Sequence, residues 1–267
     1  MDLRPQYIDL STLYLSDEDR TYVYDQRPEL PRDTKEGCVT CEGKRTYYFK
    51  GQEFECDCRA QLRLAKVYTL AGIGELFQRL DWDDYHGTKP PLRDVQEFLD
   101  GHKAMSRSGV GMVLRGENGT GKTLLVSLAA KELVKLGYDV FFTTFPNMIE
   151  MFTKGWGDLS ERERFERRIV FSGFLVLDDV GKEFRTKTNL AESTFDTVLR
   201  QRVMSLRPTI LTTNMGQADM ENGYGHSILS LLNERAVIID CAGADYRSRA
   251  RLRELDEIEK GWRRPIF

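Results

Sequence analysis

Apolar positions change their period along this chain. From about residue 61 to 104 they recur at helical spacing in AQLRLAKVYTLAG and LRDVQEFLDGHKAM, which are split by the polar loop DWDDYHGTKPP. From 109 onward short apolar runs alternate with longer amphipathic stretches. VGMVLRG reads as a strand, and KTLLVSLAAKELVKLG as a helix ending at Gly137. YDVFFTTF, rich in β-branched and aromatic residues, reads as a strand, and PNMIEMFTKGW as a short helix started by Pro146. LSERERFERRIVFSG reads as a charged helix with a solvated surface, and FLVLDDVG as a buried strand closing on two acids. TNLAESTFDTVLRQRVMS (helix), PTILTTN (strand), SILSLLNER (helix) and AVIIDCAG (strand) complete the series. Strands that alternate with helices predict a parallel sheet with helices on both faces, an α/β fold. Residues 1–36 show no sustained period and predict an extended arm or a partly ordered tail.

Composition narrows the class. The chain has 267 residues, 40% of them hydrophobic and 30% charged, enough for a core and against wholesale disorder. A net charge of −3 supplies no global attraction to nucleic acid, so any such contact needs a local basic patch. No apolar run approaches the ~18 residues that span a bilayer, and the acidic N-terminus lacks the apolar stretch of a signal peptide. These features predict a cytoplasmic protein with no membrane partner.

The stretch GENGTGKT, residues 116–123, follows a predicted strand and opens a predicted helix. This is the context a phosphate loop requires. Gly116, Glu117, Asn118, Gly119, Thr120 and Gly121 would turn their backbone N–H groups toward phosphate, with Leu124 just beyond them. Lys122 would reach the β- and γ-phosphates of ATP, and Thr123 would give its hydroxyl to Mg²⁺. Asp178, at the end of FLVL, is expected to hold Mg²⁺ directly or through water. Asp179 is placed either as a base that polarises the attacking water or as a cap of the loop VGKEF. Asn214, at the tip of TILTTN, either touches the γ-phosphate or forms a turn.

LVLDDVG, ILTTN and GADYRSR at this spacing resemble the DnaC/IstB-type branch of the AAA+ ATPases over about residues 70–260. The resemblance implies that the Asn214 strand lies between the phosphate-loop strand and the acidic strand. It also implies ATPase activity, self-association through the ATPase domain, and no full C-terminal helical lid. About 26 residues follow AVIIDC, too few for such a lid. Arg247 and Arg249 then either contact nucleotide or a neighbouring subunit, or form a basic helix surface that pairs with acids along RSRARLRELDEIEK. The family's arginine finger sits on the helix before the last strand. Many relatives carry it one turn earlier, where this chain has Ser230 and Leu231, so Arg235 is the candidate here. PNMIEMFTKGW falls where related loaders meet single-stranded DNA. Phe152, Lys154 and Trp156 supply stacking faces and charge there, with Phe152 alternatively a core residue.

Four of five cysteines cluster as CVTCEGKRTYYFKGQEFECDC. Cys38, Cys41, Cys56 and Cys58 predict a structural Zn²⁺ site of four thiolates, with a reduced cluster or a redox switch as the other readings. The intervening segment predicts a hairpin turning at Lys50-Gly51. Cys241, in an apolar run, is expected in the core. The resulting layout is an arm at 1–36, a zinc-binding module at 37–66, a helical linker at 67–104 and the ATPase domain at 105–267. The resemblance implies an ATP-dependent loader of a hexameric replicative helicase onto single-stranded DNA, which grips the helicase through its N-terminal part. The alternatives are an IstB-type transposition helper on duplex DNA and a nucleotide-gated adaptor with negligible turnover.

Overall fold

In chain order, the elements before the main sheet are α1 (Asp17–Gln26), the hairpin β1 (Thr46–Phe49) and β2 (Gln52–Glu55), α2 (Asp57–Leu70), α3 (Glu75–Gln78), α4 (Lys89–Asp100) and α5 (His102–Ser108). The main sheet and its helices follow: β3 (Gly111–Arg115), α6 (Lys122–Lys135), β4 (Val140–Thr144), α7 (Phe145–Lys154), α8 (Leu159–Phe165), β5 (Phe174–Val180), α9 (Leu190–Met204), β6 (Thr209–Thr213), α10 (Gln217–Arg235), β7 (Ala236–Asp240) and α11 (Arg247–Glu259). This computed structural model describes residues 17–27, 41–181, 189–260 and 266.

The five strands β3–β7 are parallel and run in the order β4-β5-β6-β3-β7. The polar-tipped β6 therefore lies between the phosphate-loop strand β3 and the acidic strand β5, as the resemblance implied. Alternation along each strand divides the core in two. Met112 and Leu114 of β3, Phe174 and Val176 of β5, and Ile210 of β6 face one layer with α6. Val113, Leu175, Leu177 and Leu211 face the other, with α7, α9 and α10. No helix among the described residues is long and apolar enough to cross a membrane.

Local chemistry sets several boundaries. Lys50 (φ 51°) and Gly51 (φ 79°) form the hairpin turn, both at the positive φ that a two-residue type I′ loop demands. Thr144 caps α7 by accepting from the Asn147 N–H at 3.3 Å, with Pro146 in the first turn. Gly72 (φ 78°) closes the edge strand β4. There the Phe142 N–H donates to the Ala71 carbonyl at 2.7 Å, and a Cβ on Gly72 would meet Phe142 O at 2.2 Å.

Tertiary packing overrides the sequence reading in four places. Part of the expected extended arm is helical. α1 rests on α2, Val23 is fully buried, and the Tyr22 ring lies 5.0 and 5.1 Å from the guanidinium carbons of Arg164 and Arg168. ERERFERR is accordingly a docking face as well as a solvated one, since Arg167 also pairs with Glu18 at 2.6 Å. Its helix is shorter than the pattern suggests and continues as a π-helical turn over Glu166–Val170. Helices α3 and α4 lie within residues 67–104, joined by turns, but Tyr68, Ala71, Ile73, Val95, Phe98 and Leu99 share the core of the sheet and α6 instead of spanning between bodies. SILSLLNER is the second half of the longer α10, which kinks at Gly225 (φ 84°). Cys241 is buried, as its apolar run predicts, and burial pushes its thiol up to about 11.

Candidate functional site

The loop between β3 and α6 is built on backbone that only glycine adopts freely. Gly116 has φ 149°, and a Cβ there would lie 2.1 Å from Cys241 O. Gly121 has φ 88° and begins α6 against the Tyr85 ring, 2.7 Å from where its Cβ would stand. Thr120 Oγ1 donates to Glu117 O at 3.0 Å and ties the loop to itself. Lys122 Nζ donates to the carbonyls of Gly116 (2.8 Å) and Glu117 (2.7 Å), which holds a buried ammonium inside the cradle.

The acidic strand meets this loop from the side. Thr123 Oγ1 donates to both carboxylate oxygens of the buried Asp178, each at 3.1 Å. A hydroxyl and a carboxylate this close are hard oxygen donors of the kind Mg²⁺ takes beside phosphate, and they fit that ion. Thr212 Oγ1, from β6, donates to Asp178 Oδ1 at 2.5 Å and accepts from the Asp179 N–H at 3.0 Å. The β5–β6 ladder is irregular between Leu177 and Val180, and Asp179 stands at φ 62°. Such bulges re-aim side chains beside active sites. Asp179 accordingly lines the same cleft as Lys122, Thr123 and Asn214. Asn214 Nδ2 donates to Asn118 Oδ1 at 2.9 Å, so the tip of β6 touches the phosphate loop itself.

That cleft has a volume of about 330 Å³ and extends beyond the loop. Leu76, Phe77, Leu80 and Tyr85 form one wall, and Tyr246, Arg247, Ala250 and Arg253 form the other. Its lining is largely apolar, with Lys122, Thr123, Asp179 and Asn214 among its polar groups, which suits a nucleotide. The first wall is fixed by a buried cation. Lys131 Nζ, on α6, donates to the carbonyls of Phe77 (3.3 Å), Gln78 (3.1 Å) and Leu80 (2.6 Å), and burial lowers its pKa to about 8. The second wall is anchored where the Tyr246 N–H donates to Gly119 O at 3.0 Å and where Arg253 pairs with the buried Asp84. Arg247 lines the cleft, whereas Arg249 lies over the Tyr246 ring and does not.

The remaining candidates lie elsewhere. Arg235 precedes β7, whose Ala236 pairs with Gly111 at the start of β3. It therefore sits at the sheet end opposite its own phosphate loop and pairs locally with Glu234 at 3.1 Å. Phe152 packs edge-on against Phe165 (5.4 Å) and Trp156 (6.0 Å), which favours its core reading. Lys154 is exposed and paired with Glu150 at 2.7 Å, and Trp156 is 68% exposed. The two face different clefts, Lys154 the one reaching Asp178 and Trp156 the groove between α8 and α9.

At the N-terminal side, the Sγ atoms of Cys41, Cys56 and Cys58 lie within 4.8 Å of one another, and Cys41 and Cys58 are 3.5 Å apart. Zn–S bonds of about 2.3 Å in a tetrahedron put sulfurs about 3.8 Å apart, so three corners fit that ion. Cys38, the fourth expected ligand, lies outside the described residues. Metal analysis of the purified protein is expected to return about one Zn²⁺ per chain, and Cys56→Ser to lose most of it. Equal zinc content in the two proteins would sink the assignment.

The family model described as IstB-like ATP binding protein matches residues 53–254. The chain belongs to this family. It is thus an ATP-binding protein of the AAA+ ATPase class, with the strand order and phosphate loop described above. Among curated proteins it is 24% identical over 155 residues to the replicative helicase loader DnaI of Bacillus subtilis, covering 58% of this chain and 49% of DnaI. The match thus spans about half of DnaI's length. It is 24% identical over 238 residues to the phage-like element PBSX protein XkdC of the same organism, covering 80% of this chain and 86% of that protein. Among solved structures, that of the DnaC helicase loader superposes with a TM-score of 0.56 at 22% identity, covering 63% of this chain and all (100%) of that one. At this identity the superposition speaks for the fold.

Sequence reasoning pointed to the phosphate loop, the acids and Arg247 of the second wall, but missed Thr212, Lys131, Asp84 and the rest of the two cleft walls. One signal was available. Asp81 and Asp84 form a reciprocal capping box around Trp82–Asp84, a pattern visible in DWDD. The Arg253–Asp84 pair, by contrast, joins residues 169 apart.

Proposed function

We propose that this IstB-like protein is an ATP-dependent loader of a hexameric replicative helicase. The observation that carries the reading is a AAA+ nucleotide site joined, within one chain, to a hairpin that presents a cysteine cluster. The likeness to DnaI and DnaC supports it. In this reading Lys122 and the loop N–H groups hold the β- and γ-phosphates of ATP. Thr123 and Asp178 hold Mg²⁺, which neutralises charge on the phosphates. Asp179 accepts a proton from the attacking water, and Asn214 donates to the γ-phosphate or to that water. Arg235 reaches the nucleotide of a neighbouring copy, because its place on the sheet points it away from its own. Residues 1–60 contact the helicase. Single-stranded DNA meets the end of α7, at Lys154 and Trp156, where an exposed indole can stack on bases.

The test is ATP turnover by the full chain with no DNA, with single-stranded DNA and with duplex, followed by co-purification with the replicative helicase. Stimulation by single strands alone, with zinc-dependent capture of the helicase, is the expected result. Stimulation by duplex without helicase capture would replace this reading with a transposition helper. No turnover under any condition, with capture intact, would leave a nucleotide-gated adaptor.

A further inference from the structure

We infer that Thr212 is a positioning residue for ATP hydrolysis, setting both acids of the site through one hydroxyl. This rests on Asp178 and Asp179 acting as the magnesium and water-facing groups, and it deepens that reading. Adjacent residues of a regular strand point to opposite faces. Asp178 and Asp179 nevertheless both serve the cleft region, Asp178 beside Thr123 and Asp179 beside Lys122 and Asn214. The irregular register between Leu177 and Val180 makes this possible.

The bulge has two costs. It takes the Asp179 N–H out of the regular ladder, and it holds a non-glycine residue at φ 62°. Thr212 offsets the first directly, because its Oγ1 accepts from that N–H at 3.0 Å. A hydroxyl has one proton, and here that proton goes to Asp178 Oδ1. The Asp178 carboxylate is thus held between two hydroxyls, those of Thr212 and Thr123. Donation from both fixes the orientation of its carboxylate plane. Thr212 is buried and β-branched, so its χ1 is stiff and the hydroxyl cannot swing away. Removing that one oxygen would loosen both acids together, while Asp178 keeps its bonds from Thr123.

The experiment compares Thr212→Val, which keeps the shape and removes the hydroxyl, with Thr212→Ser, which keeps the hydroxyl. Steady-state ATP turnover is measured across a Mg²⁺ titration, beside fluorescent-ADP affinity and thermal unfolding. Losing a hydrogen bond to a charged group predicts a kcat roughly 10- to 100-fold lower in Thr212→Val. A raised Mg²⁺ requirement should accompany it. Nucleotide affinity should stay within about threefold, and Thr212→Ser should recover most of the rate. A merely structural threonine would move the unfolding temperature without changing the Mg²⁺ requirement, and that pattern would overturn the inference. So would wild-type turnover in Thr212→Val, or equal loss in both variants. Asp178→Asn is the control for the underlying reading. If it hydrolyses ATP normally, the assignment of the acids fails, whatever Thr212 does.

Discussion

Lys122→Ala lowers ATP turnover by about 10²–10³-fold, the scale seen when one preorganised charge donor is removed from a transition state. The size of the effect follows from where the ammonium sits. It is buried among loop carbonyls at 2.7 and 2.8 Å, so the cation is held in the cradle instead of being recruited from solvent. Other cations line the cleft, but Arg253 is committed to Asp84 and Arg247 stands on the wall formed by α11. Lys122→Arg is expected to rescue little, because the larger guanidinium does not fit the tight turn from Gly116 to Gly121. Turnover and fluorescent-nucleotide binding should be measured together. Loss of rate with the protein still folded is the expected outcome. Turnover within threefold of the parent would mean that hydrolysis takes place elsewhere.

Arg202→Met costs about 3–5 kcal/mol of folding stability, because several buried neutral acceptors lose a charged donor at once and each such loss costs about 1–3 kcal/mol. The guanidinium is completely buried on α9. Its Nη1 donates to the carbonyls of Ile169 (2.9 Å), Val170 (3.1 Å) and Ser172 (3.1 Å). Its Nη2 donates to Pro208 O at 2.7 Å, and its Nε to Thr209 Oγ1 at 3.0 Å. Burial lowers its pKa to about 9, which still leaves a cation at pH 7. The acceptors are the carbonyls that end the π-helical turn, the Pro208 carbonyl before β6 and the Thr209 hydroxyl. Methionine has similar reach but no donors, so those carbonyls would be left buried and unmade. Thermal unfolding followed by circular dichroism should show a fall of roughly 10 °C. Arg202→Lys should be intermediate, because one ammonium cannot span all of these acceptors. A loss under about 1 kcal/mol would mean that water reaches the carbonyls and replaces the side chain.

Both predictions concern positively charged side chains buried on carbonyl oxygens, yet they differ in how far the sequence exposed them. Lys122 belongs to a short pattern whose parts are local. Its glycines, lysine and threonine lie within eight positions, and the strand before them and the helix after them are visible in the apolar period. Arg202 shares its helix with one other arginine, Arg200, which is exposed and paired one turn back with Asp196 at 2.9 Å. Nothing in RQRVM marks the second arginine as the buried one until the π-helical turn and the start of β6 are brought against it. The same holds for α1. Residues 17–26 have almost no amphipathic pattern and read as an arm. Their helix is held by Tyr22 stacked under Arg164 and Arg168 and by Glu18 on Arg167, partners about 140–150 positions away.

By itself the sequence determined what depends on neighbours along the chain. Strand and helix periods, the Lys50-Gly51 turn, the phosphate loop and the acidic strand end are all of this kind, because backbone φ and side-chain period act over a few residues. Membership of an α/β nucleotide-binding class followed from their order. Only the tertiary structure decided which residues wall the cleft, that the presumed linker belongs to the core, that Arg235 faces away from its own nucleotide site, and that one threonine of β6 holds both acids of β5. Those facts rest on contacts between residues 33 to 169 positions apart, as in Thr212–Asp179 and Arg253–Asp84. A periodic pattern states which face of an element is buried. The packing of the sheet and its helices then selects the partner that covers it.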